Sequence, residues 1–168
     1  TRPVEALAGA LAKTVTQDTL PAEKAAENER VLREREEAGL IDGLRKIAAL
    51  IPDITDSPLV ILVDQFEEVY SLCKDAEARQ VFINNLLQAA SDSTGNVSIL
   101  LTLRSDFLGE IQQHEALDAV IGSDWSIILP TMKAIELRRA IVVPARKAGR
   151  PLNEAVVYLL FKDTQGRE

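Results

Sequence analysis

Residues 59–70 read LVILVDQFEEVY: five aliphatic side chains, Leu59 to Val63, run straight into Asp64, and Glu67 and Glu68 follow three and four positions on. This is how a buried strand delivers carboxylates to a site. A second apolar run, Val97 to Leu103, ends the same way, in Arg104 and then Asp106 within SILLTLRSDFLG. Two hydrophobic strands that each release charged side chains at their C-terminal ends point to an open parallel sheet, whose ligands sit outside the carboxyl ends of its strands. The chemistry is expected there.

Helical patterns surround these two runs. Pro3 to Lys13 places Leu7, Ala8, Leu11 and Ala12 at helical spacing behind a proline suited to a first turn. Glu23 to about Leu50 predicts a longer helical region whose charged middle pairs Glu29 with Arg33 at i,i+4. That middle is read as a solvated face, with a partner surface as the alternative. Gly39 and Gly43 can interrupt it, and Pro52 to Pro58 closes it as a loop. Asp75 to Ala90 is amphipathic, with Ala78, Phe82, Leu86 and Ala90 on one face. Short helical pieces follow Leu103 as far as Ile121. Ser126 to Leu129 predicts a third strand halted by Pro130. Thr131 can cap a helix that Pro144 bends or ends. Asn153 can cap a last helix whose apolar face includes Val156, Leu159 and Leu160. The alternation of helix and strand is the order that builds a parallel sheet with helices on its faces, hence an α/β fold.

With 168 residues, 46% hydrophobic and 27% charged, the chain has ordinary globular composition, and one core is expected. A net charge of −7 argues against passive binding to nucleic acid or an anionic membrane, which relies on a basic surface. No apolar run approaches the roughly 18 residues of a membrane span, and no signal-peptide pattern opens the chain, so a soluble, cytoplasmic protein is expected. Cys73 is the single cysteine and His114 the single histidine, so neither an internal disulfide nor a His/Cys zinc cluster is expected. Cys73 is read as a partly buried spectator and His114 as a surface residue. The abrupt start at Thr1 and the tail at Thr164 to Glu168 read as the ends of a piece of something longer.

Aliphatic residues followed by Asp form the pattern of a Walker B strand. A magnesium ion on nucleotide phosphates needs a hard anionic oxygen held on a rigid strand end, and Asp64 is the candidate. Glu67 or Glu68 is the candidate for orienting or deprotonating an attacking water. The competing reading makes Asp64 a cap of the following loop or helix and leaves both glutamates solvated. Arg104, at the end of the neighbouring run, suits contact with a terminal phosphate, so it is a candidate sensor. Equally, it can pair with Asp106, Glu67 or Glu68.

LVDQFEEVY, followed about 30 residues later by LTLRSDFLG and then by LPTMKAIELRRAIVVPARKAG, resembles the novel STAND NTPases. These are signal-transducing P-loop ATPases with AAA-like cores, often joined to WD-repeat or caspase-like modules and found in cyanobacteria and other bacteria. The resemblance covers nearly the whole chain. It rests on DQFEE, the R-x-DFL element and Pro144-Ala145 with Gly149. It implies an ASCE-type P-loop core binding ATP and Mg2+, with Asp64 as the Walker B aspartate and metal residue, Glu67 and Glu68 as adjacent acids, and Arg104 as sensor. Residues 1–168 would then be a partial domain. It would comprise the Walker B and sensor portion, a charged helical segment at 23–51 and C-terminal helices at 131–162.

The eight glycines are scattered and no G-x-x-x-x-G-K-[ST] motif is present. The resemblance places that loop upstream, together with the first and second strands. On that plan the family's first strand lies between the two that 97–103 and 126–129 would form. They would then stand two spacings apart, roughly 9.6 Å, leaving edges to re-pair, to be filled by another chain, or to be covered by the rest of a larger protein. The leading reading is thus the central fragment of an ATP-dependent signalling switch, inactive as an ATPase by itself, with self-association or fused effector domains as its partners. Two alternatives stand beside it. One is a non-catalytic protein-protein interaction module derived from the fold. The other is a different α/β hydrolase binding a divalent metal through Asp64, Glu67, Glu68 and Asp106.

Overall fold

The computed structural model describes residues 2–15, 21–36, 39–121 and 123–165. Residues 37–38 of the predicted helical region and residues 166–168 of the tail lie outside these. The chain divides into two compact units, Thr1–Trp125 and Ser126–Glu168.

In the first unit, helix α1 (Pro3–Val15) buries Val4, Leu7, Ala8, Leu11 and Ala12, the i, i+3, i+4, i+7, i+8 stripe of an amphipathic helix. Helix α2 (Pro21–Arg33) is polar over most of its surface, with the expected Glu29–Arg33 ion pair at 2.9 Å. It buries only Asn28 and Leu32, one turn apart, and the Asn28 amide donates to the Ala8 carbonyl of α1 at 3.3 Å.

The helical region predicted over 23–50 is interrupted near the glycines that the sequence offered for a break. Helix α2 stops at Arg33, and α3 (Gly43–Ala48) starts after a turn in which Gly39 adopts a φ of +74°. Gly43 is needed for contact as well. A Cβ there would lie 2.3 Å from the Val31 carbonyl oxygen, so only glycine lets the start of α3 meet the backbone of α2. Asn85 ties this corner together from α5 (Ala76–Ala90). Its Oδ1 accepts the Leu44 N–H at 2.8 Å, and its Nδ2 donates to the carbonyls of Leu32 at 2.8 Å and Val81 at 2.9 Å. Helix α5 is capped by Asp75, whose Oδ1 accepts the Ala78 N–H at 3.0 Å.

Strands β1 (Leu59–Val63) and β2 (Val97–Leu101) pair in parallel, in register from Leu59 opposite Val97 to Val63 opposite Leu101. β2 ends at Leu101, short of the predicted Leu103, where the chain after β1 leaves the ladder in a turn that stays bonded to Thr102. Leu59, Ile61, Val63, Ile99 and Leu101 face the apolar core with Phe66, Phe82 and Leu86. The intervening Val60, Leu62 and Leu100 lie on the other face, at 66%, 59% and 57% exposure. Within this unit, among the described residues, the helices pack on the side of the sheet that carries Leu59, Ile61 and Val63, so the sheet is parallel and flanked by helices as expected. Short helices α4 (Glu68–Ser71), α6 (Leu108–Ile111) and α7 (Glu115–Ile121) and a 3-10 turn at Ser105–Phe107 complete the unit. The contiguous apolar core lies wholly within it.

The second unit contains helices α8 (Ala134–Lys147) and α9 (Glu154–Gln165), bridged by Arg138 and Glu154 at 2.6 Å. The strand predicted at Ser126–Leu129 does not form; Ile127, Ile128 and Leu129 are exposed and unladdered. An apolar run becomes a strand only when an edge supplies hydrogen-bond partners, and none pairs with it among the described residues. α8 begins later than expected, with Glu136 accepting the Lys133 N–H at 2.7 Å in place of a Thr131 cap, and it continues through Pro144 to Lys147. Asn153 does cap α9, accepting the Ala155 N–H at 2.9 Å. The predicted inward face of α9 is displaced, since Val157 is buried while Val156, Leu159 and Leu160 are exposed.

Candidate functional site

The DQFEE segment is a turn that sorts its side chains by polarity. Phe66 is fully buried, 6.4 Å from the Phe82 ring in a stacked arrangement and 6.0 Å from Tyr70 edge-on. This aromatic anchor pins the turn to the core. To bring Phe66 inward immediately after the exposed Asp64, Gln65 adopts a φ of +55°, a left-handed conformation unusual for a residue with a Cβ.

Thr102 holds the turn in place through four hydrogen bonds. Its N–H donates to the Val63 carbonyl at 3.0 Å, and its carbonyl accepts the Phe66 N–H at 2.9 Å. Its hydroxyl oxygen accepts the Gln65 N–H at 2.9 Å, and the hydroxyl donates to Asp64 Oδ1 at 2.5 Å. A carboxylate accepts and does not donate, so the single hydroxyl proton lies in the bond with Asp64 while the hydroxyl oxygen accepts from Gln65.

Glu67, read as solvated in the competing sequence reading, is 6% exposed, and its Oε2 accepts the Arg104 N–H at 3.4 Å. It lies between the two strand ends. Glu68 opens α4 and is only partly covered. The Arg104 side chain is turned to its own loop: Nε lies 3.2 Å from Asp106 Oδ1 and Nη2 2.8 Å from Oδ2, while its guanidinium carbon stands 5.8 Å from the Phe107 ring centroid. Of the pairings open to Arg104, the one with Asp106 is formed.

The fold thus brings Asp64, Glu67 and the Arg104 backbone together at the carboxyl ends of neighbouring parallel strands. It does not gather Asp64, Glu67, Glu68 and Asp106 into a ligand cluster: among the described residues no group of three His, Cys, Asp or Glu side chains is placed to hold a metal ion. Asp64 fits a cation as a single anionic ligand, the other ligands being phosphate oxygens or water. Thr102 is the residue that sequence reasoning passed over. Its signal lay in the ends of the two runs: the register that sets Val63 opposite Leu101 brings Asp64 and Thr102 next in line.

Other groups lie apart from these strand ends. Cys73 is buried, its thiol 3.4 Å from the Asp75 carbonyl. His114 is half-buried rather than on the surface, with Nε2 3.0 Å from the Gln80 amide nitrogen. Two surface clefts, one lined by Arg2, Arg33, Cys73 and Lys74 and the other by Gln80 and His114, include none of the strand-end acids. No helix among the described residues is long and apolar enough to cross a membrane.

No curated protein and no solved structure matches the chain. A protein-family model does: the one described as Novel STAND NTPase 1, over residues 1–168.

Proposed function

Because the chain belongs to the novel STAND NTPase family, we propose that it forms the metal-binding and sensor portion of a nucleotide-dependent signalling switch. The observation that carries this reading is the juxtaposition at the carboxyl ends of β1 and β2, where Asp64 accepts the Thr102 hydroxyl and Glu67 accepts the Arg104 N–H. Open α/β sheets bind ligands at such ends. In this reading the sheet is part of an ASCE-type core whose remaining strands complete it.

Asp64 would hold the Mg2+ that accompanies the nucleotide phosphates. When bound, the magnesium–nucleotide complex supplies the phosphoryl group and the charge that neutralises its oxygens. Glu67, set between the strand ends, orients or accepts a proton from the attacking water, with Glu68 as the neighbouring acid. Arg104 exchanges Asp106 for the terminal phosphate, and so reports whether that phosphate is present. Self-association and coupling to fused effector modules follow from the switch role. The glycine- and lysine-bearing phosphate loop is not among these 168 residues, so the test is made on a protein that contains both. Asp64→Asn should abolish most Mg2+-dependent ATP turnover; unchanged turnover would overturn the reading. Glu67→Gln and Glu68→Gln, assayed separately, identify the acid, the larger loss being expected at Glu67.

A second reading, a non-catalytic interaction module, is favoured by one observation: the Arg104 guanidinium is already engaged by Asp106. Failure of the intact protein to bind ATP would support it.

A further inference from the structure

We propose that Thr102 is a positioning residue that presents Asp64 to the cation as a one-oxygen ligand, a role that rests on the reading of Asp64 as the magnesium residue. Thr102 is bonded to four successive residues of the turn, Val63 through Phe66. Three of those bonds shape the backbone. The fourth, from its hydroxyl, reaches a side chain instead, Asp64 Oδ1. It fixes the carboxylate.

The consequence is chemical. A free aspartate on an exposed strand end rotates about χ1 and χ2 and can offer either or both oxygens. With Oδ1 accepting the Thr102 proton, rotation is restricted and Oδ2 is left to face outward. The hydroxyl cannot reverse its role toward an ionised Asp64, which has no proton to donate. Asp64 is therefore held as an acceptor on one side and an anionic ligand on the other, which favours single-oxygen contact with a small octahedral cation over bidentate binding of a larger one. Partners of this kind set both the orientation and the affinity of a metal ligand.

The test uses the intact protein, phosphate loop included, and reads the Mg2+ concentration that half-saturates binding of a fluorescent ATP analogue, without turnover. Thr102→Val removes the hydroxyl at nearly constant volume; Thr102→Ser keeps it. T102V is expected to raise the half-saturating Mg2+ by about 10-fold or more, in the range typical of lost outer partners of metal ligands. T102S should restore it, and Ca2+ should be discriminated against less strongly in T102V. Melting in the absence of Mg2+ reports any loss of turn stability separately, and a purely structural role would move the melting temperature but not the Mg2+ requirement. If T102V does not fold, Thr102→Ala is read in its place. Asp64→Asn separates the two ideas. An unchanged Mg2+ requirement in D64N removes the functional reading itself. A changed requirement in D64N together with an unchanged one in the hydroxyl-free variant removes the role of Thr102 alone.

Discussion

Arg104 and Asp106 form a two-point ion pair, Nε to Oδ1 at 3.2 Å and Nη2 to Oδ2 at 2.8 Å, with both side chains more than half exposed. In the sensor role proposed for Arg104, the carboxylate of Asp106 occupies the guanidinium fork that a terminal phosphate would need. An exposed pair of this kind is worth only about 0.2–1 kcal/mol, so it would compete with a phosphate without excluding it. Asp106→Asn in the intact protein should tighten binding of a nucleoside triphosphate, by no more than about fivefold given that range. Arg104→Ala should weaken it. Isothermal titration with the triphosphate and the diphosphate checks both, and weaker triphosphate binding in D106N would show that Asp106 supports the site instead of competing for Arg104.

Asn85 sits where three helices meet and leaves little tolerance for change. Asn85→Ala strips the partner from the buried Leu44 N–H and from the Leu32 carbonyl, and opens a void beside them. The expected loss is about 2–4 kcal/mol, read from denaturant unfolding. Asn85→Asp should be similarly damaging, since its carboxylate faces the Leu32 and Val81 carbonyls. A loss below about 1 kcal/mol in N85A would mean that water replaces the amide.

Gly43 gives the opposite of the usual helix result. Glycine to alanine inside a helix ordinarily stabilises by about 0.5–1 kcal/mol. Here the new methyl would sit 2.3 Å from the Val31 oxygen and 2.7 Å from the Leu32 Cα, both backbone atoms that cannot swing aside. Gly43→Ala should therefore cost about 1–3 kcal/mol. Thermal unfolding checks the sign, and a raised melting temperature would disprove the close approach.

Tyr70 has a buried hydroxyl with no partner among the described residues, and burial pushes its phenol above the ordinary tyrosine range. Since the folded state holds this proton more tightly than the unfolded chain, stability falls once the pH rises past the ordinary value of 10.0. Tyr70→Phe should be neutral or stabilising by up to about 1 kcal/mol near neutrality, because an unsatisfied group is removed. It should also flatten the loss of stability at alkaline pH. Unfolding curves of both proteins at neutral and at high pH make the comparison, and a clearly destabilised Y70F at neutral pH would reveal a partner for the hydroxyl.

The strands at Leu59–Val63 and near Val97, the helix after Asp75, the Asn153 cap and the gathering of charge at two strand ends were all legible in the sequence. Each is written in local terms: a continuous aliphatic run, a 3.6-residue period, a capping side chain, a charged residue just past an apolar stretch. Membership of the family was legible for the same reason, since DQFEE and R-x-DFL are short contiguous patterns.

What only the tertiary structure decided depends on partners distant in the chain. Whether Ser126–Leu129 is a strand turns on an available edge, which composition does not encode. The break between α2 and α3 could be suspected at Gly43, but the Val31 oxygen that enforces it is 12 positions away. Glu67 and Glu68 are alike in sequence; the fold buries one against the Arg104 N–H and leaves the other partly covered. Thr102 is an ordinary strand-end residue until parallel pairing sets it beside Asp64, because a hydroxyl acquires a role only from the donor and acceptor that the fold brings within reach.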